Sequence, residues 1–389
     1  MATSARIATL LAAVAVGLAC RATVTTREPA PIVLGAVYNL TGRQAQLDVP
    51  SAQGARLAVE EVNRAGGLLG RPVQLVLEDG RSETAIVAER TADLLDRFPA
   101  VPALIGLSDA DMVLAAATVA SQRQRLFLTS GATSPHLPAQ VPGPLYLACF
   151  GDNVQAAAAA EWAVQDLSAR TAAVVFDASS STARLLHGYF QTRFSELGGR
   201  VRWVRSFTRD DLSALGRPPL PKADFVFLAA ADPEQALAAV LRLREAGVTA
   251  PILGGDAFDA LDPWSEHPEL TGIYFTTHAY LGADSAAPKL IAFRESYGRA
   301  FPESAPDAFA ALGYDAARLA MAAIARAGSA DPREVLRALG EIQGFEGVTG
   351  TIGYPAGSRI PLKTVTVLAI EAGKRRLVRQ LLPSHVPPP

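Results

Sequence analysis

The chain has little of what catalytic and nucleic-acid-binding proteins depend on. It has two cysteines, Cys20 and Cys149, and five scattered histidines, His136, His187, His267, His278 and His385, in 389 residues. No HExxH, GxSxG or Cys/His metal-ligand spacing occurs, so the sequence implies no metal, no cofactor and no enzyme activity. The net charge of -2 argues against a general nucleic-acid binder, which needs a basic face. Arginine far outnumbers lysine, but Arg64, Arg81, Arg90 and Arg97 are interspersed with acids, as on a solvated surface. The N-terminal apolar run, Ile7 to Leu18, is too short to span a bilayer as a stable helix.

That run follows Arg6 and ends in small residues before Cys20, the pattern of an export signal over residues 1–20. Residues 21–31, rich in threonine and proline, read as a flexible tether. Cys149 sits among Tyr146, Leu147, Ala148 and Phe150 and reads as a buried strand thiol without chemistry.

What the chain does have is a helix-turn-strand unit from Gly54 to Gly80. Ala55, Leu57, Ala58, Val62 and Ala65 recur at helical spacing, with Glu60, Glu61, Asn63 and Arg64 opposite. Gly66 and Gly67 stop the helix, because glycine takes a left-handed C-terminal conformation without strain. Pro72 then opens a strand from Val73 to Leu77. The glycine-rich turn is not a phosphate loop, since it follows a helix and precedes a strand.

Strands and helices alternate from there. Strands are expected at Val33–Tyr38, Ala103–Leu107 and Leu126–Thr129, with helices at Glu83–Asp96 and Asp111–Ala120. The pattern restarts with an alanine-rich helix, Val154–Leu167, for which Asp152 is the expected cap, as Asp111 is for its own helix. Strand Ala172–Phe176, helix Leu185–Leu197, strands Val201–Val204 and Phe225–Leu228, helix Gln235–Ala246 and strand Pro251–Leu253 follow. Helices at Ala287–Phe301, Ala308–Ala327 and Pro332–Leu339 precede two closing strands, Gly350–Tyr354 and Thr364–Ile370, and a disordered tail, 383–389. Apolar strands between helices imply an α/β fold of two similar Rossmann-like lobes with parallel sheets.

Several motifs narrow this reading: the helix G-A-x-x-A-V-E-E from Gly54, then N-x-A-G-G-x-x-G-x-P, Leu40-Thr41-Gly42, Ile105-Gly106-x-Ser108, Thr129 to Pro135, Gly313-Tyr314-Asp315-Ala316 and Phe345-x-Gly347-Val348-Thr349-Gly350. In this order they resemble the type I periplasmic binding proteins, the Leu/Ile/Val-binding family of ABC transporter solute receptors. The resemblance runs from about Ile32 to Leu382. It implies three crossings between lobes, near Phe150, His278 and Glu346, with 32–150 plus 279–346 in the first lobe and 151–278 plus 347–382 in the second. Gly17-Leu18-Ala19-Cys20 resembles a bacterial lipobox, which implies a lipid on Cys20 and a membrane-anchored, extracytoplasmic protein.

Ligands of open parallel sheets lie beyond the carboxyl ends of strands. Ser108, Gly131, Ala132, Thr133 and Asp256 all occupy such positions. Hydroxyls and backbone N–H groups suit a carboxylate, and an acid suits an ammonium. The resemblance implies that Ser108, Gly131 and Thr133 hold an amino acid's carboxylate and Asp256 its ammonium, with an ABC permease as partner. Leu47, Ser181 and Ala231 stand where the family carries aromatic side chains, and Ser179-Ser180-Ser181-Thr182 replaces a tyrosine-glycine. A side chain other than a branched aliphatic one, or a small acid or amide, is therefore open. Asp152 and Asp177 read as a helix cap and a loop acid. A signalling receptor of the same fold and a secreted α/β enzyme are the alternatives, the second disfavoured by the missing nucleophile and metal motifs.

Overall fold

The computed structural model describes residues 29–141, 143–230, 233–259, 263–285 and 287–389. The proposed signal, Cys20 and most of the tether lie outside them, as does Ala231. The chain opens with β1 (Ile32–Tyr38), α1 (Ala45–Arg64), β2 (Val73–Asp79), α2 (Thr84–Arg97), β3 (Ala103–Gly106), α3 (Ala110–Gln122), β4 (Leu126–Thr129), α4 (Leu137–Gln140) and β5 (Leu145–Leu147). These strands form an all-parallel sheet ordered β2-β1-β3-β4-β5. Next come α5 (Asp152–Gln165), β6 (Thr171–Asp177), α6 (Ser181–Glu196), β7 (Arg200–Phe207), β8 (Phe225–Ala229), α7 (Pro233–Glu245), β9 (Ile252–Gly254) and β10 (Ile273–Thr277). The chain returns through α8 (Pro288–Ala300), α9 (Ala308–Ala327), α10 (Pro332–Gly340) and the hairpin β11 (Phe345–Gly347)–β12 (Gly350–Ile352), then ends in β13 (Val365–Glu371) and β14 (Lys374–Leu381).

The second sheet has seven strands, ordered β14-β13-β10-β9-β8-β6-β7. It is mixed rather than purely parallel, because β13 runs antiparallel to both β10 and β14. A turn at Ala372 and Gly373, both with positive φ, returns the chain directly into β14. Each sheet is buried on both faces by helices, the layering that its continuous apolar strands require.

The first lobe is built on the contact between α1 and α9. A Cβ on Gly54 would lie 1.9 Å from the Ala310 carbonyl oxygen, and one on Gly313 would lie 1.9 Å from that of Ser51. Only glycine permits so close a crossing. α1 begins nine residues before Gly54, because Pro50 sits inside the helix instead of starting it. Proline lacks the N–H that Gln46's carbonyl would accept, so the helix signal is weak there.

Four expectations are corrected. Residues 347–360 stay with the first lobe: Ile352 and Tyr354 are in its core, and the Leu147 N–H donates to the Arg359 carbonyl at 3.0 Å. Asp315 on α9 causes this by accepting from the N–H groups of Val348 and Thr349, both at 2.7 Å, which pins the hairpin. The third crossing therefore follows Ile360 rather than Glu346. Asp109, not Asp111, caps α3, taking the N–H groups of Asp111 and Met112. Asp152 is the first residue of α5, after Gly151, and its carboxylate accepts from Gln155. The tail is also ordered: Glu161 on α5 accepts from Ser384, and Asn153 donates to the Pro387 carbonyl at 2.8 Å.

Candidate functional site

A cleft of about 720 Å³ lies between the lobes, within the roughly 300–1,000 Å³ common for small-molecule sites. Its first wall comes from the ends of β3 and β4 and the start of α1. Ser108, Gly131 and Thr133 line it together, as does Leu47. Ser108 and Gly131 touch: a Cβ on Gly131 would lie 2.6 Å from Ser108 Oγ. Ser108 Oγ is buried and makes no hydrogen bond of ordinary geometry among the described residues. Such an orphaned donor is costly unless something pairs with it. Behind it stands Asp48, whose pKa burial pushes up to about 7 against the lowering pull of Asn39 and Ser108.

Ala132 does not join this wall. It is 1 % exposed, packs into the core, and its N–H donates to Thr129 Oγ1 at 3.2 Å. The turn after β4 consumes that donor, which turn position alone does not reveal. Cys149 is buried too, its thiol donating to the Ala132 carbonyl, and burial pushes its pKa up.

The second wall comes from the ends of β6, β7 and β9 and the starts of α6 and α7. Asp256 opens a short 3-10 turn after β9 and lines the cleft. One of its oxygens accepts from Gln155 Nε2 at 3.1 Å, and the other lies 3.2 Å from His278 Nε2. Gln155 in turn donates to Asp152, and its oxygen accepts from Thr276. His278 stacks on Phe150 with ring centroids 3.8 Å apart. Two of the three crossings thus touch beneath Asp256. Burial holds the His278 pKa below its ordinary value against the raising effect of Asp256. Burial, with the charge of Asp256 second, pushes Asp152 up to about 7.

Ser181 lines the cleft at the first turn of α6, beside Ser179, Ser180 and Thr182. Among the described lining residues, Phe309 is the one aromatic. The sequence reading missed Arg43, Gln44, Gln46, Arg209, Glu234 and Gln235, all of which line the cleft. Arg209 lies two residues past β7, so the strand-end rule that found Asp256 applies to it as well.

The comparisons with known proteins agree with this architecture. The family model described as periplasmic binding protein matches residues 31–374. A Leu/Ile/Val-binding protein of Rhizobium johnstonii is 27 % identical over 353 residues, 89 % of this chain and 93 % of that protein. The branched-chain amino acid transporter substrate binding protein LivJ of Streptococcus pneumoniae, solved in complex with isoleucine, superposes with a TM-score of 0.79 at 25 % identity, covering 90 % of this chain and 99 % of that one. The leucine binding protein LivK of Thermotoga maritima gives 0.75 at 28 % identity, with 90 % and 99 % covered. A model matched over most of the chain, on two α/β lobes around one cleft, settles the family: the chain belongs to the periplasmic binding proteins, the extracytoplasmic solute receptors of ABC transporters.

Proposed function

We propose that this receptor binds an amino acid or a close relative and delivers it to an ABC permease. The observation that carries the reading is the opposition of a buried hydroxyl, Ser108, on one wall to an acid, Asp256, on the other. Ser108, Gly131 and Thr133 would take the carboxylate, and Asp256 the ammonium. Leu47, Ser181 and Ala231 would face the side chain. The naming of relatives for leucine, isoleucine and valine supports an amino-acid head group. The two sheets would close as bodies about the three crossings, because the ligand reaches both walls only when they approach.

Cys20 would carry a lipid and hold the receptor at the membrane. Wild type should fractionate with membranes in a bacterium that processes lipoproteins, and Cys20→Ala should release it. A wild type that is wholly soluble ends the anchor idea.

The site is tested by calorimetry on the twenty amino acids, followed by Asp256→Asn. Loss of a charge-assisted bond should cost about 2 kcal/mol, roughly thirtyfold in Kd, with little change in Tm. Equal affinity in the two proteins would remove the ammonium from Asp256.

A further inference from the structure

The second wall carries charged side chains that an amino-acid head group does not use. Asp177, at the end of β6, is fully buried as a residue yet lines the cleft. One of its oxygens accepts from the Ser179 N–H at 2.8 Å. Gln235, in the first turn of α7, is 7 % exposed. In the amide orientation that satisfies its neighbours, it donates to Asp177 Oδ2 at 2.7 Å and accepts from Arg209 Nε at 3.1 Å. Arg209 also lies 3.8 Å from Glu234. The wall therefore holds a carboxylate and a guanidinium at a separation fixed by one amide.

Each kind of ligand tail meets this pair differently. An ammonium suits Asp177 and is repelled by Arg209. A carboxylate suits Arg209 and is repelled by Asp177 and Glu234. An alkyl group removes water from Arg209, whose side chain is 55 % exposed, and returns no hydrogen bond. A carboxamide carries a donor for the acid and an acceptor for the guanidinium. Sites built around polar groups discriminate strongly against tails that return no hydrogen bond to them. We infer that the ligand ends in a primary carboxamide, read by Asp177 and Arg209, with Gln235 as the positioning residue between them. The inference rests on the cleft being the ligand site, and for the amino-acid probes on the head-group reading above.

The test is calorimetry with L-glutamine, L-glutamate, L-ornithine and L-leucine, and with butanamide, which has the tail and no head. L-Glutamine should bind about tenfold tighter than each of the other three amino acids. Asp177→Asn should move the glutamate-to-glutamine ratio toward glutamate, and Arg209→Met should move the ornithine-to-glutamine ratio toward ornithine, each by about tenfold. These ratios are read within one folded protein, so a general loss of stability does not mimic them. A preference for leucine, or ratios unmoved in both variants, overturns the inference while an Asp256-dependent amino acid still supports the receptor reading. Butanamide binding that weakens in Arg209→Met, with no amino acid bound, keeps the inference and removes the head-group reading. No binding of any probe removes both.

Discussion

In the first lobe α1 and α9 meet backbone to backbone, with Gly54 and Gly313 each leaving no room for a methyl group. In the second lobe the corresponding pair, α5 and α6, adds a buried ion pair to its apolar contacts. Arg193 on α6 donates to Glu161 on α5 at 2.6 Å, with side chains only 9 % and 4 % exposed. The same carboxylate accepts from Ser384 of the tail. Close packing needs no hydrogen-bond partner, whereas a buried ion pair holds only while every lone pair is satisfied. The helix that carries Glu161 also carries Gln155, which donates to Asp256 beside His278 under the second wall.

The comparison breaks most directly at Glu161. Glu161→Ala leaves Arg193 buried without its main partner and should cost about 3–5 kcal/mol, measured by urea unfolding. Replacing both residues, Glu161→Leu with Arg193→Met, should recover much of the loss, because an apolar pair needs no counter-charge. If the double variant is as unstable as the single one, packing rather than charge joins α5 to α6. Next is Gly313→Ala in the first lobe, where the new methyl meets backbone on α1. Overpacking of this kind costs about 1–3 kcal/mol. A variant of unchanged Tm would mean the helices separate freely and the close crossing is incidental.

Acidity sharpens the contrast, since each lobe hides an acid near the cleft whose pKa burial pushes up to about 7, Asp48 in the first and Asp152 in the second. A carboxyl whose pKa is higher in the folded state binds its proton more tightly there than in the unfolded chain. Stability of the free protein should therefore fall as pH rises from about 4 toward 7. Asp48→Asn should flatten this slope by about 1–2 kcal/mol between pH 5 and 7, leaving the shares from Asp152 and from Asp307, which burial also pushes up to about 7. A slope unaltered by Asp48→Asn would place the titration elsewhere. The smallest effect belongs to a polar contact in the first lobe that bears on neither wall. Asp331 caps α10 by accepting from the N–H groups of Arg333 and Glu334. Asp331→Ala should cost about 1 kcal/mol, and ligand affinity should stay unchanged by calorimetry.

The fold was readable wherever the apolar pattern was continuous. β4 and α9 fall on their expected residues, and α2, α8 and β8 lie within a residue or so. The pattern failed at β14, KRRLVRQL, an edge strand so basic and exposed that no core periodicity shows. β10 is five residues long and runs into buried threonines, Thr276 and Thr277, then His278, which hides its apolar start. The prolines of the tail suggest disorder, but its order is supplied by Glu161, more than 200 residues away. The cleft divides in the same way. Ser108, Thr133 and Asp256 follow strands and were visible from topology alone. Gln155 and Gln235 project from helices, where glutamine is an ordinary surface residue, and only the fold brings them to Asp256 and Asp177.

The interleaving of the lobes also governs how this chain can emerge from the ribosome or through a membrane. α9 carries much of the first lobe's core, including Leu319, Met321 and Ile324, yet it is made after every strand of the second lobe up to β10. The second sheet in turn lacks β13 and β14 until the last residues are added. A nascent chain therefore presents one sheet that still lacks its covering helix α9 and another that still lacks two strands. Domains that complete in sequence can fold as they appear. Here both must wait, so the chain stays open and threadable until it is nearly complete, the condition under which an exported polypeptide crosses a membrane.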